Sequence, residues 1–258
     1  MPTDQKSIDW YNDHAEGYAA HVRDKNDSVY HSLYEKPAMR ALLPSLSKKR
    51  VLAIGCGPGE DAAYLKSHGA ASVVGIDISK KLIEIAQKQH PECEFLVMDM
   101  EHLDFPAASF DFAYSSLAVH YLKDWSQMFR EVYRVLKPKS SFLFSCGHPV
   151  YSAMTMTDDT DEKRVRMLAI IKGKKTNSAK IVGDYLGRHT IVNPPSEMDV
   201  TTWHKSIGEI VAEASAAGFL ISSIVEPKPD PKMKKLKPRS FTSLSKIPYF
   251  IIFKLEKL

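Results

Sequence analysis

The sequence predicts an α/β fold, a mostly parallel sheet wound by helices on both faces, with its last strand reversed. Three observations predict it. From Val51 onward, short apolar runs alternate with amphipathic segments, the pattern of successive β-α units. The first run, Val51-Leu52-Ala53-Ile54, is continuously hydrophobic, as a parallel strand covered on both faces must be, and it breaks into three alternating glycines, Gly55, Gly57 and Gly59. Near the C-terminus, a basic, proline-rich connection without helical periodicity joins the final two apolar runs. A parallel return normally needs a crossover helix, so the last strand is expected to run antiparallel.

Each element follows from local pattern. Residues 1–47 read as a helical cover: Trp10, Tyr11, His14 and Tyr18 recur at helical spacing, and a second segment runs from about Ser28 to Leu43 with Pro37 interrupting it. After the glycines, Glu60 and Asp61 open a helix through Ala62-Ala63-Tyr64-Leu65 that closes at Gly69. Val73-Val74-Gly75-Ile76-Asp77 is the second strand, and Ser79 caps a helix burying Leu82, Ile85 and Ala86 that stops at Pro91. Phe95 to Met100 is the third strand and Phe110 to Ser115 the fourth. Trp125, Met128, Phe129, Val132, Val135 and Leu136 form an apolar stripe ending at Pro138, followed by a strand over Ser141–Cys146. The alternation stops after Pro149. Residues 150–204 are polar and mixed and read as an insertion after the fifth strand. Winding resumes with a helix burying Ile207, Ile210, Val211 and Ala214, closed by Gly218, then strands over Phe219–Val225 and Ile247–Leu255.

At 258 residues the chain suits one large domain, 1–258, with residues 48–149 and 205–258 as its core. Lysine and arginine number 35 against 31 acidic residues, a net charge of +4 that excludes neither a small-molecule nor a nucleic-acid partner. Three scattered cysteines, Cys56, Cys93 and Cys146, argue against a disulfide framework or zinc cluster and for a reducing, cytoplasmic setting. The N-terminus has no apolar secretory core, and the longest late apolar run, Tyr249 to Phe253, is too short to span a bilayer, so no membrane association is expected. A monomer or a homodimer fits.

The glycines carry the functional reading. They let backbone approach a ligand closely, and they sit at a helix N-terminus whose N–H groups attract a carboxylate or phosphate. Dinucleotide loops place a third glycine where this chain has Glu60, which repels a pyrophosphate. Asp77 lies 22 residues beyond Gly55, where an acid can take both ribose hydroxyls. To this point a nicotinamide and an S-adenosyl cofactor fit equally. Asp99 separates them: a second acid at the end of the third strand can accept the adenine amino group while Ile78 and Met100 sandwich the ring.

With Gly55-x-Gly57-x-Gly59, Asp77, Asp99 and Ser109-Phe110-Asp111-Phe112-Ala113-Tyr114-Ser115-Ser116 in order, residues 48–149 and 205–258 resemble the class I S-adenosylmethionine-dependent methyltransferases of small-molecule type. The resemblance implies a Rossmann-like, seven-stranded sheet, S-adenosyl-L-methionine as cofactor and S-adenosyl-L-homocysteine as product. It implies cofactor contacts from Gly55, Cys56, Gly57 and Gly59 to the methionine carboxylate, from Asp77 and Ile78, from Asp99 and Met100, and from backbone near Ser115 to the ammonium. Tyr11 and Tyr18 resemble an aromatic pair folded over the methionine end, Tyr11 on the acceptor side. Methyl transfer from a sulfonium is an in-line displacement needing no metal or covalent nucleophile. Where an acceptor must lose a proton, histidine titrates in the right range, and His120 and His148 sit past the fourth and fifth strands, where ligands of open sheets bind. His204 resembles a position lining the acceptor pocket, and residues 150–204 are read as its substrate-side wall.

Two features point elsewhere. Asn193-Pro194-Pro195-Ser196 resembles an amine-methylating motif but lies in the insertion and lacks the aromatic, so it reads as a turn. The run Lys228, Lys232, Lys234, Lys235, Lys237, Arg239 and Lys246 reads as a solvated connection, with RNA methylation as the alternative it would serve. A non-catalytic S-adenosylmethionine-binding module and a nicotinamide dehydrogenase are the other rivals.

Overall fold

The computed structural model describes residues 4–158, 164–172, 179–191 and 198–258. The chain opens with α1 (Gln5–Asp13), α2 (Ala15–Arg23), a π-helical turn (His31–Glu35) and α3 (Lys36–Ala41). The core follows: β1 (Arg50–Ile54), α4 (Glu60–Ser67), β2 (Ser72–Asp77), α5 (Lys80–Gln89), β3 (Glu94–Val97), β4 (Phe110–Ser115), α6 (Ser126–Val135) and β5 (Leu136–Gly147). The insertion carries α7 (Pro149–Ser152) and six short strands, β6 (Thr155–Asp158), β7 (Arg164–Met167), β8 (Ala169–Lys172), β9 (Ala179–Val182), β10 (Thr190–Ile191) and β11 (Thr202–Trp203), paired as three antiparallel ribbons. The chain ends with α8 (Ile207–Ala216), β12 (Leu220–Val225), α9 (Met233–Leu236), α10 (Pro238–Leu244) and β13 (Phe250–Lys257).

Seven strands form one sheet in the order β12-β13-β5-β4-β1-β2-β3. Strands β1 to β5 are parallel, and β13 runs antiparallel to both β5 and β12. Alternation along each strand makes the sheet double-faced. Leu52 and Ile54 of β1 join Val74, Ile76, Phe142 and Phe144 against Met128, Phe129 and Val132 of α6. Val51 and Ala53 point the other way, to Val73, Phe112 and Leu143 and to Ala62 and Leu65 of α4. After β3 the chain crosses back to β4 on the far side of β1, so the carboxyl ends of β1 and β4 flank the switch point where open sheets take ligands.

Three expectations need correcting. The reversed strand is present, but the connection before it contains two helices, α9 and α10; Pro238 occupies the first turn of α10, a position that favours rather than breaks a helix. Pro138 lies within β5, and α6 has already ended at Val135. Pro37 sits in the first turn of α3, just after the π-helical turn, so it begins a helix instead of interrupting one.

The cover is held by specific ties. Ala15 and Ala19 of α2 pack on Leu82 and Ile85 of α5 with Tyr11 and Tyr18 alongside. The Asn12 carboxamide oxygen accepts from Ser79 Oγ at 2.9 Å and from the Lys81 N–H at 3.2 Å, fastening α1 to the start of α5. The Thr201 N–H donates to Ser7 Oγ at 2.9 Å, fastening α1 to the insertion as well. No helix among the described residues is long and apolar enough to cross a membrane.

Candidate active site

The three glycines all have positive φ, +61° at Gly55, +53° at Gly57 and +91° at Gly59, but they are needed for different reasons. A Cβ on Gly55 would lie 2.3 Å from the Ala118 methyl, so this glycine lets the β1 and β4 ends close together. A Cβ on Gly59 would meet Phe95, His90 and Ala86 at 2.8 to 3.1 Å. A Cβ on Gly57 would meet only Tyr18, at 3.8 Å, because the space above it is a cavity. Gly59 as a cofactor contact is corrected: it sits at the N-cap of α4 with its N–H donating to Cys56 O at 3.0 Å, and it does not line the cavity. No side chain caps that helix, so its first N–H groups are not taken up by a capping residue.

Around the cavity above Gly57 the structure gathers Tyr11, Tyr18, Gly55, Gly57, Asp77, Ile78, Asp99 and Met100, with Ser116, Leu117, Ala118 and Tyr121 from the β4 end. Asp77 is fully committed to the loop. Its Oδ2 accepts from the Gly57 N–H and its Oδ1 from the Ser79 N–H, both at 2.9 Å, and each oxygen keeps a second lone pair for a hydroxyl. Burial raises its pKa, opposed by those N–H groups. Asp99 accepts from the Glu101 N–H at 2.9 Å, and Ile78 and Met100 line the same wall. Tyr11 and Tyr121 share a hydrogen bond of 2.5 Å between hydroxyls, and Tyr11 packs edge-on to Tyr18 with centroids 5.1 Å apart. Burial pushes the Tyr121 phenol up to about 12, so it stays protonated. With these rings in place the cavity holds about 70 Å³, and the same Tyr11, Tyr18 and Tyr121 also border a larger space of about 1130 Å³.

A small cleft behind the loop is lined by Tyr18, His31, Lys36, Cys56, Asp61 and Ser116. Here Lys36 Nζ lies 3.1 Å from Asp61, both largely buried. Sequence reading missed Lys36 and its neighbour Glu35: neither lies in a motif, and only the packing of the cover on the β4 and β5 ends brings them to the loop. Ser115 does not reach the cavity; its hydroxyl is buried without a hydrogen-bond partner among the described residues, and Ser116 lines the cavity instead.

A second cavity of about 210 Å³ lies past the ends of β4 and β5, bounded by His120, Tyr121, Trp125, His148, Trp203 and Lys205. Tyr121 borders both cavities. His120 Nδ1 is buried with no hydrogen-bond partner among the described residues, and burial lowers its imidazole to about 4, so it is neutral at physiological pH. His148 is different. Its Nδ1 accepts from the Val150 N–H at 3.1 Å, capping α7, and its Nε2 therefore donates to Glu226 at 3.0 Å. With its Nδ1 lone pair taken by the Val150 N–H and its Nε2–H directed at Glu226, it has no free lone pair for an acceptor's proton, which corrects its assignment as a base. His204 is corrected too: it is buried, paired to Ser152 Oγ at 2.6 Å and Tyr185 O at 2.9 Å, and it pins the insertion to α7 rather than lining the pocket. Its neighbour Lys205, buried and paired with Glu213, lines the pocket in its place, and no local pattern marked it.

The basic residues of the last connection stay exposed while Met233 and Leu244 pack against Val29 and Tyr34. The Asn193–Ser196 turn lies outside the described residues.

Residues 52–144 match a family model described as a methyltransferase domain. The chain superposes on a solved S-adenosylmethionine dependent methyltransferase from Mesorhizobium loti with a TM-score of 0.72 and 27% identity, covering 90% of this chain and all of that one. These matches support a class I S-adenosylmethionine-dependent methyltransferase. Among curated relatives, this chain is 30% identical over 176 residues to the phthiotriol/phenolphthiotriol dimycocerosates methyltransferase of Mycobacterium leprae, covering 64% of each chain. It is 32% identical over 118 residues to the malonyl-[acyl-carrier protein] O-methyltransferase of Pseudescherichia vulneris, covering 45% of this chain and 47% of that one. The chain thus spans between about half and two thirds of these relatives' length. The family implies S-adenosyl-L-methionine as cofactor, with S-adenosyl-L-homocysteine as product. The residues present suit it: a glycine whose missing Cβ leaves the cavity open, an acid at the end of β2 and another just past β3, and the apolar Ile78 and Met100 lining the same cavity.

Proposed function

We propose that the protein methylates a small organic acceptor by in-line displacement, with the acceptor in the aromatic cavity beyond β4 and β5. The observation that carries this is the meeting of the two cavities at Tyr121, with the insertion residues Val200, Thr202 and Trp203 and the adjoining Lys205 walling the second one into a volume of about 210 Å³. That space suits a small molecule, not a polymer. When bound, S-adenosylmethionine supplies a methyl carbon already activated by its sulfonium, so the chain's task is to hold and orient. Gly57 backbone, Asp77 and Asp99 hold the carboxylate, ribose and adenine regions; Tyr11, Tyr18 and Tyr121 close over the reacting end and exclude water. His120, neutral and with Nδ1 unengaged, takes the acceptor's proton where that acceptor is a hydroxyl. The two curated relatives are named for unlike acceptors, a malonyl-acyl carrier protein and a phthiotriol lipid, which agrees with a shared cofactor half and a divergent acceptor half.

Mass spectrometry of reactions with small-molecule acceptor pools tests the reading: a product heavier by one methylene supports it, and cofactor bound without any product would make the chain a binding module. RNA methylation along the exposed 228–246 lysines predicts binding that weakens steeply with salt, whereas a small-molecule enzyme is nearly indifferent. His120→Ala is expected to lower kcat about a hundredfold while cofactor affinity, measured by calorimetry, changes less than about threefold. An unchanged kcat would reduce His120 to a packing residue.

A further inference from the structure

Glu35, the last residue of the π-helical turn, is completely buried at the ends of β4 and β5. Such turns recur at functional sites. Its Oε1 accepts from Ser116 Oγ at 3.0 Å and from Ser145 Oγ at 2.6 Å. Ser145 Oγ in turn accepts from the Leu117 N–H at 3.0 Å, and Leu117 is held at φ +52°, a left-handed conformation that a branched residue adopts only under constraint. Ser116 borders both the cofactor cavity and the cleft behind the glycine loop. Glu35 Oε2, by contrast, is buried with no hydrogen-bond partner among the described residues. The neighbouring Lys36 makes its ion pair with Asp61, not with Glu35.

A carboxamide would tie the two serines equally well, so the charge needs another reason. Burying an unpaired carboxylate is costly unless something cationic arrives. The family's cofactor is a sulfonium cation, whereas its product is a neutral sulfide. We propose that Glu35 is a positioning residue that holds the Ser116–Leu117 turn and whose negative charge favours the sulfonium cofactor over its product. This rests on the cofactor reading above. Burial, then the Asp61 charge, raise the Glu35 carboxyl to about 7, opposed by Ser145, Ser116 and Lys36. Tyr114 of β4, the other titratable group facing it, is pushed well above its ordinary range. His31, held at about 4, does not change charge near neutrality.

The test is calorimetric titration of the full chain with S-adenosylmethionine and with S-adenosylhomocysteine between pH 5.5 and 8.5, for the wild type, Glu35→Gln and Glu35→Ala. The decisive quantity is how the ratio of the two affinities in the wild type differs from that in Glu35→Gln, since the sulfonium lowers the cofactor's own ammonium pKa and that contribution is common to both proteins. In the wild type the ratio is expected to shift about tenfold further toward the sulfonium as pH rises through 7 than it does in Glu35→Gln, whose turn stays intact. Glu35→Ala should weaken both ligands by releasing the turn. A second reading needs no ligand. Because the folded state binds the Glu35 proton more tightly than the unfolded chain does, wild-type stability falls as pH climbs from the ordinary carboxylate range through about 7, and Glu35→Gln should melt several degrees higher at pH 8. A pH-independent ratio in the wild type, or the same slope in Glu35→Gln, overturns the proposal while leaving the cofactor reading standing. Failure of both ligands to bind the wild type at any pH removes both.

Discussion

Asp77→Ala is expected to weaken S-adenosylmethionine binding at least a hundredfold, because the substitution removes two things at once. On the proposed function the carboxylate's spare lone pairs take the ribose hydroxyls, and charge-assisted hydrogen bonds of that kind contribute about 1.5–3 kcal/mol each. The same oxygens shape the loop, accepting from the Gly57 and Ser79 N–H groups on either side of the cavity. Left without an acceptor, each buried N–H costs about 1–3 kcal/mol, so the melting temperature should also fall by several degrees. Asp77→Asn separates the two effects, since its single amide oxygen can keep one N–H contact and its NH₂ cannot accept. Calorimetry should place its affinity between wild type and Asp77→Ala. Wild-type affinity in Asp77→Ala would remove Asp77 from the site.

Gly57→Val and Gly59→Val should fail in opposite ways although they lie two residues apart. At position 57 the new side chain enters open space toward Tyr18, so the fold loses only about 1–2 kcal/mol to the left-handed backbone while the cavity is filled. Cofactor binding is expected to disappear with a melting temperature only a few degrees lower. At position 59 the side chain collides with Phe95, His90 and Ala86, and overpacking of about 1–3 kcal/mol adds to the backbone strain. There the melting temperature should drop sharply, while the protein that remains folded at low temperature still binds cofactor. Identical behaviour of the two variants would mean that the loop does not divide into a ligand side and a packing side.

The cofactor half was legible along the chain because its parts are local. A buried parallel strand is a run of apolar residues, an acid ending such a run is conspicuous, and Ser79 as an N-cap sits where its helix begins; Asp77, Asp99, Ile78 and Met100 converge on one cavity accordingly. The helical spacing of Tyr11 and Tyr18 likewise foretold a face that packs together. The reversed strand shows how a correct expectation can rest on a wrong premise: α9 and α10 do lie in the connection, and β13 is reversed because it slots between β5 and β12.

The histidines mark the boundary. Along the chain His120 and His148 were candidate bases past strand ends, and His204 a candidate pocket residue at a helix start. Val150 and Glu226 engage one, Ser152 and Tyr185 another, and only His120 is left with an unpartnered nitrogen. Those partners lie as far as 78 residues away, and no periodicity encodes them. Glu35 and Lys36 were invisible for the same reason. Hydrophobic period and glycine placement specify strands, helices and the loop between them, since these depend on neighbours a few residues off. Which glycine borders the cavity, which histidine keeps an unengaged nitrogen and which acid keeps a buried oxygen without a partner depend on groups brought together only when the cover and the insertion close over the sheet.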